Sequence, residues 1–67
     1  MTASQIRATL TERSHQLYAE AQRVYGSGHG PAIAREVRAL KWIARGLLTL
    51  SCRPDAELHA FRDLIVG

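Results

Sequence analysis

The stretch Pro31–Ser51, PAIAREVRALKWIARGLLTLS, decides how the rest of the chain is read. At about 100° per residue, Ile33, Val37, Leu40, Ile43, Ala44, Leu47, Leu48 and Leu50 fall in one broad arc, which predicts a helix with a buried side. Opposite that arc lie Arg35, Arg38, Lys41 and Arg45 with Trp42 among them, and Ala32, Ala39 and Gly46 recur every seven residues along one flank. A face made only for water has no use for a tryptophan. The segment therefore reads as a helix with one side for the chain's own core and others available to a partner.

Upstream, Ile6, Leu10, Leu17, Ala21 and Val24 keep one narrow stripe, flanked by Tyr18 and Tyr25, which predicts a first helix over about residues 4–25. Thr2 and Gln5 are spaced for a capping box at its start, and Gly26 is placed to stop it as a C-terminal cap. Ser14 takes the position where the heptad spacing asks for an apolar residue, leaving a small polar gap in the seam. Gly26-Ser27-Gly28-His29-Gly30-Pro31 is the one clear break: its glycines permit positive φ and Pro31 suits the first position of a new helix. So short a connection between two helices of similar length predicts an antiparallel hairpin over about 4–25 and 31–51. The same loop lacks both a preceding strand and a Gly-Lys-Ser/Thr sequence, so a hairpin turn is the better reading of it than a phosphate cradle.

Downstream, Pro54 ends the second helix near Ser51 or Cys52 and can begin a third, over about 54–65. Asp55 and Glu57 suit its positive end, and Leu58, Phe61, Leu64 and Ile65 give it an apolar side with which to fold back on the hairpin. The fold class predicted is all-α, in one small domain spanning residues 1–67.

A chain of 67 residues is in the range where a single core is barely sufficient without a disulfide, a metal or association. Its one cysteine, Cys52, excludes an internal disulfide and a zinc cluster, fits a reducing cytosol, and reads as an inert, partly buried thiol. No apolar run is long enough to span a bilayer, and the polar, uncharged start Met1–Gln5 lacks the marks of a secretory leader, so the chain is expected to be cytoplasmic. The formal charge of +3 permits an anionic partner without requiring one.

Catalytic constellations are nearly absent. His15, His29 and His59 fall in three different elements, and Asp55 and His59, four apart on the third helix, have a spacing that allows contact; a surface contact is the better reading of them. We therefore expect no enzyme activity, no cofactor and no metal. The basic face is the stronger signal. It admits three readings: a solvated face with Trp42 covered by the third helix, a dock for an acidic or amphipathic protein, or a phosphate-binding surface with Trp42 stacked on a base. Close approach of a second helix would explain the small-residue line, and Ala8, His15, Ala19 and Gln22 form a comparable line on the first helix, although chance composition of an alanine-rich chain explains both equally well. The residues that carry a partner-binding reading are Arg35, Arg38, Ala39, Trp42, Arg45 and Gly46.

The chain length, the glycine-containing turn between two long helices, and the run Arg38-Ala39-Leu40 followed by Gly46-Leu47-Leu48-Thr49-Leu50 resemble the small E-type co-chaperones of bacterial type III secretion. The resemblance covers residues 1 to 52. It implies a helical hairpin that joins a larger tetratricopeptide-type chaperone, the pair keeping the needle subunit monomeric in the cytoplasm. The expectation is thus a helical protein-binding module, a co-chaperone or adaptor, in a heterodimer with another helical protein or a homodimer with itself. The alternative is a dimeric nucleic-acid-binding hairpin of plasmid or phage type.

Overall fold

The computed structural model describes residues 1–66 and every side chain among them save those of Leu64 and Val66. Two long helices, α1 (Ala3–Gly26) and α2 (Pro31–Ser51), lie against one another as an antiparallel hairpin. A short C-terminal arm follows, made of α3 (Asp55–Leu58), a 3₁₀ turn (His59–Phe61) and α4 (Arg62–Val66). There is no strand among the described residues.

Helix α1 begins as its sequence requires: Gln5 N–H donates to Thr2 Oγ1 (3.2 Å) and Thr2 N–H donates to Gln5 Oε1 (2.8 Å), closing a reciprocal capping box. Its end differs from expectation. Gly26 stays within the helix, and the cap is Ser27 in right-handed geometry, its Oγ bonded to the Val24 carbonyl at 2.6 Å. Among the described glycines the positive φ belongs to Gly30 alone, at 139°, where the chain reverses into Pro31, the first residue of α2.

At mid-hairpin the helices meet over small side chains. Ser14 and Ala44 face each other with no solvent exposure, and Ser14 Oγ donates to the Ala44 carbonyl at 2.7 Å. The polar gap in the seam is thus a close crossing of two backbones, filled by a hydrogen bond. Ala21 and Val37 continue this line toward the turn, both buried.

At the open end the core is larger, because the arm folds over it. Ile6, Leu10, Leu58 and Ile65 form the buried cluster, with Ala3, Leu47, Leu50 and Phe61 packed around it. The 3₁₀ turn brings residues three apart into line, which sets Leu58 and Phe61 on the same side of the arm. Leu64, expected on that side too, lies outside the described side chains. Polar anchors secure the arm: Arg7 donates from Nε to the Ser51 carbonyl (3.0 Å) and from Nη2 to the Arg53 carbonyl (3.2 Å) and Asp55 Oδ1 (2.6 Å), while Arg13 Nη2 donates to the Ile65 carbonyl (2.7 Å). Asp55 therefore pairs with Arg7, and the Asp55–His59 contact expected from spacing is not the one that forms; the guanidinium offers a full charge and reaches two carbonyls at the α2 terminus as well.

The molecule is a slim rod, with extents of 42 × 20 × 13 Å and a radius of gyration of 13.7 Å. A compact domain of this length has a radius near 11 Å, so the hairpin leaves long helix faces uncovered.

Candidate functional site

The outer face of α2 is set by how narrowly α1 grips the inner one. Because Ser14 and Ala21 are small, the helices approach closely and bury Val37, Ala44 and Ser51, with Ile33, Leu40, Leu47, Leu48 and Leu50 half-buried at the sides. Ile43, expected inside the buried arc, is instead 52% exposed. It sits at the margin of that arc, beyond the reach of α1, and the arm that covers Leu47 and Leu50 does not extend over it.

Trp42 stands on the far side of α2 with 76% of its surface exposed. Neither α1 nor the arm covers it, which removes the reading in which the third helix does so. Two shallow depressions flank the indole. One is lined by Arg35, Arg38, Ala39, Trp42 and Ile43, the other by Trp42, Arg45, Gly46 and Thr49. All six residues named from sequence as partner-binding line these two depressions. Ile43 and Thr49 join them, and both were missed: Ile43 read as core, and Thr49 carries no signal of its own. Lys41 stands apart from its cationic neighbours, in the cleft between the helices with Ala21, Gln22, Tyr25 and Val37.

The electrostatics of the face are one-sided. The ion pairs Arg7 with Asp55, Arg23 with Glu20, and Arg53 with Glu57 all lie away from this face. The side chains of Arg35, Arg38, Lys41 and Arg45 make no ion pair and no hydrogen bond within the described chain. Gly46, one turn from Trp42, is equally unengaged: a Cβ built there meets nothing within 4 Å. Packing within the chain therefore does not account for an interior helical glycine that costs about 1 kcal/mol relative to alanine. Ala32 and Ala39 are exposed along the same line, as are Ala8, His15, Ala19 and Gln22 on α1.

Other candidate chemistry is thin. Cys52, expected to be partly buried, is exposed at the end of α2, because Arg53 and Pro54 turn the chain away immediately after it. His29 sits in the turn with its ring edge-on to Tyr25, centroids 6.3 Å apart. Among the described residues no three of His, Cys, Asp or Glu cluster closely enough to hold a metal ion, and no helix is long and apolar enough to cross a membrane.

Comparison of the chain with protein-family models, curated proteins and solved structures finds no match.

Proposed function

We propose that this protein is a helical protein-binding module whose α2 outer face docks on another helical protein. It acts in the manner of a cytoplasmic co-chaperone or adaptor, the role that the resemblance to the E-type co-chaperones implies. One observation carries the reading: Trp42, the chain's only tryptophan, is 76% exposed between two depressions rimmed by arginines that pair with no acid among the described residues. Tryptophan and arginine are the commonest energetic anchors of protein interfaces, and an indole left in water forgoes about 1.5–3 kcal/mol of burial. The slim core adds to the argument, since a chain this short gains stability from whatever covers its long faces.

The test is a photo-crosslinking amino acid placed at Trp42, with a second variant carrying it at Ala19 on the outer side of α1. In the native host, position 42 gives a discrete adduct with one protein and position 19 does not. Adducts with nucleic acid at position 42, or equal labelling from both positions, overturn the reading.

A further inference from the structure

Resting on that reading, we propose that the partner's docking element is an amphipathic helix with a carboxylate-bearing edge, supplied by a different protein and not by a second copy of this chain. The chemistry follows from the edge of the α2 face. Arg38 and Arg45 are seven residues apart, two turns or roughly 10 Å along the helix, and both lack an acidic partner among the described residues. Beside them runs the apolar strip of Ala39, Trp42, Ile43 and Gly46, where Ala39 and Gly46, themselves seven apart, raise no large side chain above the backbone. A helix laid along that strip can approach closely at Ala39 and Gly46, with Trp42 on one side of its path and Ile43 on the other. Carboxylates at the same two-turn spacing on its edge then meet Arg38 and Arg45, and arginine binds carboxylate through two parallel hydrogen bonds.

A second copy lacks that edge. Of the chain's six acidic residues, Glu20, Asp55 and Glu57 are already paired with arginines. Glu12, Glu36 and Asp63 remain, each on a different helix. Around α1, Glu12 and Glu20 lie about 80° apart, and α2 carries Glu36 alone, so neither long helix presents an edge of carboxylates at the two-turn spacing of Arg38 and Arg45, and charge matching selects a foreign partner.

The test uses the full chain and two synthetic helical peptides with leucine at heptad positions a and d. One carries glutamate at e and g, where like-charge repulsion keeps it from assembling with itself, and its twin carries lysine there. In titration calorimetry at physiological salt the Leu/Glu peptide binds and the Leu/Lys twin does not. The double substitution Arg38→Glu with Arg45→Glu leaves helicity unchanged, weakens the Leu/Glu peptide at least tenfold, and admits the Leu/Lys twin. Equal binding of both peptides, lost in Trp42→Ala, overturns the acidic edge while leaving docking at Trp42 intact. Binding of neither overturns both. A homodimer in sedimentation that Arg38→Glu dissolves overturns the foreign partner, and tighter binding of an RNA or DNA oligonucleotide with the same sensitivity overturns the protein partner.

Discussion

Replacing Ser14 by leucine asks whether the polar gap in the hairpin seam is a flaw in the apolar stripe or the device that sets the helix spacing. By stripe logic alone, leucine completes the heptad and stabilises the hairpin. The structure predicts the opposite sign. Ser14 and Ala44 are both fully buried across the helix crossing, and the Ser14 hydroxyl sits 2.7 Å from the Ala44 carbonyl, so no space exists for a larger side chain. Overpacking of a tight site costs about 1–3 kcal/mol, and loss of the hydrogen bond adds about 1 kcal/mol. The sum, roughly 2–4 kcal/mol, is a large part of the total stability of about 3–10 kcal/mol for a chain of this size. Ser14→Ala separates the two contributions: it deletes the hydrogen bond without adding volume and costs about 0.5–1.5 kcal/mol. Urea unfolding followed by circular dichroism measures both variants. A Ser14→Leu protein as stable as the wild type, or more so, refutes the close-crossing argument.

Three further predictions rest on other parts of the fold. Arg7→Ala destabilises by about 1–2 kcal/mol, because it strips the Ser51 and Arg53 carbonyls of their donor as well as Asp55 of its partner; Asp55→Ala, at an exposed pair, costs under about 1 kcal/mol, and equal effects in thermal unfolding contradict this. Gly30→Ala, at φ 139°, costs about 1–3 kcal/mol, whereas Gly28→Ala, at a negative φ and in open space, is close to neutral; denaturant midpoints of the two variants check the difference. Gly46→Ala stabilises the free protein by about 0.5–1 kcal/mol, since the new methyl meets nothing, and weakens partner docking; a loss of thermal stability in the isolated protein contradicts the open surface drawn here.

Periodicity made the hairpin, its capping box and the Pro31 start legible, because apolar spacing and cap chemistry act over a few residues. Contacts between distant residues were less so. Ile43 reads as core from its angular position, and only the closeness of α1 at Ser14 and the limited reach of the arm show that it is left outside. Asp55 reads as a partner for His59 on its own helix, while the stronger competitor, Arg7, lies 48 residues away. For the candidate site, wheel geometry grouped the six residues around Trp42, yet whether the third helix covers the indole depends on where the arm packs. That is decided by Leu58 and Ile65 docking on Ile6 and Leu10, at the other side of the hairpin's open end.

The emission of Trp42 tests the central claim most directly, because this residue is the chain's only tryptophan and sits at the centre of the proposed docking face. In the dilute free protein it emits as a water-exposed indole, open to acrylamide quenching, and on adding the Leu/Glu peptide it shifts to the blue and becomes protected. Emission already blue-shifted and protected in the dilute protein, or unchanged by the peptide at millimolar concentration, contradicts a docking face on the outside of α2.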